Sequence, residues 1–138
     1  MTTLVDGIPH RLSRTAAAAL RDVAPAFECV WCTGWEERAG EHLPALLDLP
    51  RGWPHIAFPE RPEWAAHWKL SGIDALAGPD RPLAWVDDAH DAACREWAAR
   101  RPGPTLLVAT DPAVGLTGEH AARLRRWAWD LDRRARLV

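Results

Sequence analysis

Short, mostly apolar segments alternate with helical segments along this chain, and that alternation limits the fold more than any other feature. The apolar segments are Phe27–Cys32, Leu83–Val86 and Thr105–Ala109. Strands without a polar face are typical of parallel sheets that helices cover on both sides. We therefore expect an α/β fold: a three-layer, Rossmann-like, mostly parallel sheet with helices on both faces and no large cap domain.

The helical segments are recognised by apolar spacing, by caps and by Gly or Pro at their ends. A Pro-rich stretch interrupts them, with one short extended piece at His55–Phe58. The N-terminal residues Thr2–Leu12 read as extended, with a turn at Asp6–Gly7. The predicted helices are Arg14–Val23, Trp35–Leu47, Trp64–Ala77, Ala89–Arg100 and Gly118–Arg134.

Composition narrows the class of protein. The 138 residues predict one domain, 1–138, and the net charge of -2 gives no strong field for nucleic acid or an acidic membrane. No apolar run is long enough to span a membrane. Three cysteines and no signal peptide favour a reduced, cytoplasmic protein. Cys29 and Cys32 lie on one predicted strand, which would put their thiols on opposite faces of the sheet and argues against a zinc or redox pair.

Two adjacent carboxylates, Asp87 and Asp88, follow the strand Leu83–Val86 directly. Two like charges at the rim of a core are unfavourable unless a cation or a donor compensates them. One interpretation is a Mg²⁺ site, because Mg²⁺ prefers oxygen ligands. The other is that one Asp caps the helix Ala89–Arg100 while the second is solvated.

Other polar residues should gather at the same edge of the sheet, because ligands bind at the carboxyl ends of parallel strands. Thr33 and Gly34 follow one strand, and Thr110–Pro112 follows another. Thr33 could hold a phosphate oxygen together with helix N–H groups, although an N-cap threonine has the same signature. Lys69 is the only lysine among 17 basic residues, which hints that a compact ammonium is needed there.

These motifs together resemble the haloacid dehalogenase-like superfamily, and more narrowly its small actinobacterial members. The resemblance covers nearly the whole chain from about Pro9 and depends on the order and spacing of four motifs. They are Trp31-Cys32-Thr33-Gly34-Trp35-Glu36, His67-Trp68-Lys69, Trp85-Val86-Asp87-Asp88 and Asp111-Pro112-Ala113-Val114-Gly115-Leu116-Thr117.

The resemblance implies a role for each residue. Thr33 and Gly34 would bind the phosphoryl group, and Lys69 would pair with phosphate and nucleophile. Asp87 and Asp88 would hold Mg²⁺, directly or through water. Members with this pattern hydrolyse phosphate esters through an aspartyl-phosphate intermediate, which is covalent catalysis by a carboxylate. The partner would be a phosphorylated substrate or another anion.

The first motif of that superfamily, Asp-x-Asp-Gly at the end of a central strand, does not occur here. In one interpretation Asp6–Gly7 is the tail of a degenerate motif, with Leu4 at the nucleophile position. In a second, Asp6 is the nucleophile and Ile8 stands at the general-acid position. In a third, the first strand is absent and Thr2–Leu12 is a hairpin. We favour the third, which requires rearranged pairing, a partner strand or a start upstream of Met1 to cover the exposed edges.

Three functional hypotheses follow. The chain is a magnesium-dependent phosphatase, or a catalytically inactive relative that binds an anion, metal or protein partner, or part of a longer enzyme. With no cap domain the site would be open, which suits a large phosphorylated substrate or enclosure by a homo-oligomer. His90 would be a supporting residue beside the carboxylates or a solvated residue in the first turn of a helix.

Overall fold

The computed structural model describes residues 3–6, 14–32, 53–56, 69–111 and 113–136, and side chains within most of them. Over this part of the chain the protein is a mixed α/β fold with a parallel sheet. The strands are β1 (Thr3–Asp6), β2 (Glu28–Trp31), β3 (Leu83–Asp87) and β4 (Thr105–Ala109). The helices are α1 (Arg14–Val23), α2 (Leu70–Ala77), α3 (Ala92–Arg100) and α4 (Gly118–Arg136).

The four strands are parallel and lie in the order β2-β1-β3-β4. The N-terminal strand β1 is therefore central, with Asp6 in register with Trp31 on one side and Val86 on the other. Because β1 pairs in parallel on both sides, the hairpin predicted for Thr2–Leu12 is wrong for residues 3–6, and so is the interpretation in which the first strand is absent; residues 2 and 7–12 lie outside the described part of the chain. The physical reason is that, without β1, both β2 and β3 would keep an unpaired edge inside the sheet, which native folds avoid.

A short extended segment continues the sheet beyond β2. The Trp31 N–H donates to the Pro54 carbonyl over 2.8 Å, and the Ile56 N–H donates to the Trp31 carbonyl over 3.0 Å. His55 forms a parallel bridge with Trp31 between these two bonds. The extended piece predicted at His55–Phe58 is thus confirmed for its first two residues; residues 57 and 58 lie outside the described part of the chain.

Alternation along the strands sorts the buried side chains into two apolar clusters. In β3, Ala84 and Val86 belong to one cluster, whereas Leu83 and Trp85 belong to the other. Because successive strand residues face opposite ways, the two clusters lie on opposite faces of the sheet. Cys29 and Cys32 separate in the same manner, which confirms that the Cys-x-x-Cys pair does not converge.

Helices contribute to both clusters. Buried residues of α1 and α4, among them Leu20 and Leu124, join the cluster that contains Val86. Ile73 of α2 and Cys94 of α3 join the cluster that contains Trp85. Burial raises the pKa of the Cys94 thiol to about 11, so this cysteine stays protonated and packs as an apolar residue at neutral pH.

The helix after β3 begins later than predicted. Asp91 is its N-cap, since the Cys94 N–H donates to Asp91 Oδ1 over 3.0 Å. Neither Asp87 nor Asp88 caps α3, so that interpretation of the pair is wrong. The other helices agree with prediction where they are described: α2 ends before Gly78, whose φ of 67° suits glycine, and the predicted Trp35–Leu47 helix lies outside the described residues.

Within the described residues, no helix is long and apolar enough to cross a membrane. The longest is α4, which carries charged residues along its length.

The central position of β1 can be tested with proline. We expect Val5→Pro to destabilise the protein by about 3 kcal/mol or more, because every N–H in a central strand bonds one neighbour or the other. Ala109→Pro is the matched control. The Thr110 N–H donates to the Asp87 carbonyl, so by alternation the Ala109 N–H faces away from β3 and its loss should cost less than about 1 kcal/mol.

Urea denaturation followed by circular dichroism measures both costs. If Val5→Pro were as mild as Ala109→Pro, β1 would not be central.

Candidate functional site

The carboxyl ends of the strands form one edge of the sheet, and the predicted site residues Asp6, Asp87 and Asp88 lie at this edge. β1 ends at Asp6 and β3 ends at Asp87, on neighbouring strands. From β1 the strand order runs to β2 on one side and to β3 on the other, so the order reverses between β1 and β3. In open parallel sheets such a switch point leaves a crevice at the carboxyl ends of the two strands.

Lys69 and Asp87 form a buried ion pair at this edge. Lys69 Nζ lies 2.5 Å from Asp87 Oδ2, and the two side chains are 11% and 1% exposed. Lys69 precedes the first residue of α2 and Asp87 ends β3, so the pair ties a helix start to a strand end. Removing both charges from water is costly, and direct contact with good geometry is what offsets that cost.

Asp87 is held by backbone groups as well. Its Oδ1 accepts the Ala89 N–H over 3.1 Å, and its carbonyl accepts the Thr110 N–H over 3.1 Å. Both carboxylate oxygens therefore have partners, and the side chain has one fixed orientation. A cation at this edge would share an oxygen with Lys69 or with the Ala89 amide, which is compatible with the two lone pairs of each oxygen.

Asp88 is only partly buried, yet its pKa is raised. Burial is the largest cause, and the neighbouring charge of Asp87 and a hydrogen bond to it act in the same direction. The positive charge of Lys69 opposes them. The ionised form of Asp88 is thus disfavoured by its surroundings, and a nearby cation would favour it.

His90 packs beside the carboxylates instead of in a helix. Its ring meets Trp85 edge to face, with 4.6 Å between ring centroids, and α3 begins two residues later. Burial lowers the pKa of His90, while the charge of Asp87 opposes that effect. Among the described residues neither ring nitrogen has a hydrogen-bond partner. The interpretation of His90 as a solvated residue in a first helical turn is wrong, because Trp85 covers it.

The loop that follows β4 lies at the same carboxyl edge of the sheet. The Ala113 N–H donates to Asp111 Oδ1 over 2.7 Å, and Asp111 bridges Gly115, whose φ is 78°. The Thr117 N–H then donates to His120 Nδ1 over 3.0 Å at the start of α4. This Thr117–His120 pair was not predicted; it has the arrangement of a capping box, with histidine in the position that Glu or Gln usually holds.

The predicted site residues therefore divide into two groups. The structure brings Lys69, Asp87 and Asp88 together, and it aligns the backbone of Asp6 with them at the end of β1. The side chain of Asp6, and Thr33 and Gly34, lie outside the described part, although β2 runs to this edge just before Thr33. Among the described side chains, no three His, Cys, Asp or Glu residues are grouped as metal ligands.

Comparison of the chain with protein-family models, with curated proteins and with solved structures finds no match.

The buried ion pair can be tested by a double-mutant cycle. We expect Lys69→Met and Asp87→Asn each to cost about 3–5 kcal/mol, because each leaves an uncompensated buried group. The double variant should cost less than the sum by about 2 kcal/mol or more, since neither charge then remains.

Urea denaturation measures each free energy of unfolding. The exposed pair Arg81–Glu28 is the control, and its Arg81→Met and Glu28→Gln cycle should give less than about 1 kcal/mol of coupling. Equal coupling in the two cycles would mean that the Lys69–Asp87 pair is not buried in solution.

Proposed function

We propose that this protein is a haloacid dehalogenase-like, magnesium-dependent phosphoryl-transfer enzyme of the phosphatase type. The observation that carries the proposal is the buried Lys69–Asp87 pair at the end of β3, with Asp88 beside it and the end of central β1 adjacent. A fixed cation, a carboxylate pair and a strand-end aspartate are the groups that phosphoryl transfer to a carboxylate requires.

We infer a three-layer, Rossmann-like arrangement for the whole domain. Two apolar clusters on opposite faces, each containing residues from two helices, support it. If the bridge at His55 is counted as a strand, the order becomes 3-2-1-4-5, which is that of doubly wound sheets. A central first strand also agrees with the superfamily that the motifs resemble.

The nucleophile in this proposal is Asp6. Of the two interpretations that the central β1 leaves open, one puts Leu4 at the nucleophile position and the other puts Asp6 there. Leu4 is in register with Ala84, well inside β3, whereas Asp6 is in register with Val86, next to Asp87. Only Asp6 belongs to the edge where Lys69 and Asp87 lie, and an apolar side chain cannot attack phosphorus.

The chemistry then assigns a task to each residue. Asp6 attacks phosphorus with a carboxylate oxygen, the ester oxygen departs, and water later hydrolyses the aspartyl phosphate. Lys69, Thr33 and Gly34 hold the phosphoryl oxygens, which gain charge in the transition state. Asp87 and Asp88 fit Mg²⁺, whose hard oxygen ligands they supply and whose charge would offset that of the phosphoryl group.

Ile8 at the general-acid position sets the class of substrate. An isoleucine cannot protonate the departing oxygen, so the reaction depends on how well that oxygen carries negative charge. We infer a preference for aryl phosphates and other esters with acidic leaving groups over alkyl phosphates.

If Asp88 binds Mg²⁺, the variant Asp88→Asn should have opposite effects on protein stability with and without the metal. In metal-free protein at pH 7.5 the variant should melt at a higher temperature, because the raised pKa of Asp88 means that its ionisation opposes folding. The difference should shrink as the pH falls and the wild-type carboxyl takes up its proton. In saturating Mg²⁺ the wild type should gain stability, about 1.4 kcal/mol at ten times Kd, and the variant should gain much less.

Differential scanning fluorimetry at several pH values and Mg²⁺ concentrations checks this. Asp130→Asn, on an exposed part of α4, is the control and should respond as the wild type does. An equal Mg²⁺ response in wild type and Asp88→Asn would exclude Asp88 as a ligand.

Measurements of turnover test the assignment of Asp6 as the nucleophile and the absence of a general acid. We expect 4-nitrophenyl phosphate to be hydrolysed faster than phenyl phosphate by roughly 100-fold or more, the size of a general-acid contribution. Asp6→Asn should abolish turnover without changing the Mg²⁺ response, whereas Asp80→Asn, at an exposed residue before β3, should leave turnover unchanged.

A wild type that binds Mg²⁺ yet hydrolyses neither ester would favour the alternative function, a catalytically inactive relative that binds an anion or a partner.

A further inference from the structure

Trp97 of α3 contacts three separate parts of the structure. Its indole N–H donates to Asp74 Oδ1 of α2 over 3.1 Å. Its ring meets that of Trp85 in β3 edge to face, with 6.2 Å between the ring centroids and 84° between the planes. The guanidinium of Arg101, the C-cap of α3, lies over the same ring, 5.6 Å from its centroid. One side chain thus joins α2, β3 and the end of α3.

The two elements that Trp97 connects to α3 are those that carry the buried ion pair. Lys69 is the N-cap of α2, five residues before Asp74. Asp87 ends β3, two residues after Trp85, and alternation puts both on the same face of the sheet. Trp97 therefore bridges the helix of the ammonium and the strand of the carboxylate.

The ion pair depends on where α2 lies. A buried pair offsets its loss of hydration only when its geometry is good, and here Lys69 Nζ lies 2.5 Å from Asp87 Oδ2. Ile73 and Ala77 hold α2 against the sheet by apolar contact. Apolar contact is not directional, so it does not fix the position of the helix along its own axis.

Hydrogen bonds fix the position that apolar packing leaves open. The bond between Trp97 and Asp74 holds the middle of α2, and Arg101 Nη2 donates to the Gly78 carbonyl at its end over 2.6 Å. With eight residues the helix is only about 12 Å long, too short to bend between these points. A shift of α2 along its axis would break both bonds and carry the ammonium of the ion pair with it.

We propose that Trp97 is a positioning residue, which sets the contact between Lys69 and Asp87 through its hydrogen bond to Asp74. Contacts with a second indole and with a guanidinium hold its ring, so the N–H has a fixed direction. In the proposed reaction Lys69 holds phosphoryl oxygens, and a misplacement of about 1 Å reduces rates steeply. The effect on turnover rests on the proposed function, whereas the effect on the ion pair does not.

Two matched pairs of variants separate the hydrogen bond from general packing. Asp74 is exposed, so Asp74→Ala removes the acceptor at little other cost, whereas Asp74→Asn keeps an acceptor oxygen. Trp97→Phe keeps an aromatic ring and removes the N–H. Trp127→Phe makes the same change at a tryptophan that stacks on Phe27 in the other apolar cluster.

The position of Lys69 can be measured directly because it is the only lysine in the chain, so protein labelled with ¹³C-lysine gives one Cε signal in NMR spectra. We expect this signal to move in Asp74→Ala and in Trp97→Phe towards its position in urea-unfolded protein, where the ammonium is in water. It should stay at the wild-type position in Asp74→Asn and in Trp127→Phe. Circular dichroism confirms that each variant is folded.

Turnover connects the position of Lys69 with the proposed reaction. In saturating Mg²⁺, Asp74→Ala and Trp97→Phe should each lower kcat for 4-nitrophenyl phosphate by about 10-fold, with a smaller change in KM, because a displaced cation stabilises the transition state less. Asp74→Asn and Trp127→Phe should stay within about twofold of the wild type.

The two readouts fail separately. A Lys69 signal that neither Asp74→Ala nor Trp97→Phe moves would overturn the positioning role. So would a signal that Asp74→Asn moves as far as Asp74→Ala does, since the hydrogen bond would then not be the cause. A wild type without turnover, whose Lys69 signal responds as expected, would support the positioning role and count against the proposed phosphatase.

Discussion

The carboxyl edge of this fold depends on the buried pair of Lys69 and Asp87. It is the contact that joins the start of α2 to the end of β3, and it fixes the direction of the carboxylate through a second bond to the Ala89 amide. A pair of apolar side chains could fill the same space with equal or greater stability. The charged pair therefore agrees better with a role in the proposed function than with stability alone. Beside it, burial and the charge of Asp87 raise the pKa of Asp88.

A second buried cation shows what a structural role looks like in the same protein. Arg101 donates to the carbonyls of Gly78 and Arg81 and to Thr105 Oγ1, and its guanidinium lies over the ring of Trp97. Its hydrogen-bond partners are neutral groups near the amino ends of β3 and β4. Arg101 therefore holds these loops together without a buried carboxylate as its partner. Lys69, in contrast, faces a carboxylate that is almost completely buried. The buried cations at the two ends of β3 thus differ in their partners, a carboxylate for Lys69 and neutral groups for Arg101.

How far the sequence predicts this fold depends on whether a signal is local. The strands Leu83–Asp87 and Thr105–Ala109 are mostly apolar runs that follow Gly and Pro residues and end at polar ones, so their bounds could be predicted almost to the residue. Thr3–Asp6 could not, because a four-residue strand before Asp-Gly has the signature of a hairpin arm. Its central position follows from the gap that β2 and β3 would otherwise leave in the sheet. No local sequence pattern encodes that gap. The Lys69–Asp87 contact spans 18 residues and was not predicted, because the resemblance of motifs assigns Lys69 to the phosphate and nucleophile and Asp87 to Mg²⁺.

The central position of β1 also bears on how a nucleophile at its end would behave. A residue at the end of an edge strand is held from one side, whereas Asp6 has strand neighbours on both sides, Trp31 and Val86. Backbone pairing from two directions limits movement of the main chain to that of the sheet as a whole. A reacting carboxylate gains from such a position, because small errors in its approach to phosphorus reduce the rate steeply. The strand that completes the sheet is therefore also the element best suited to carry the reacting group.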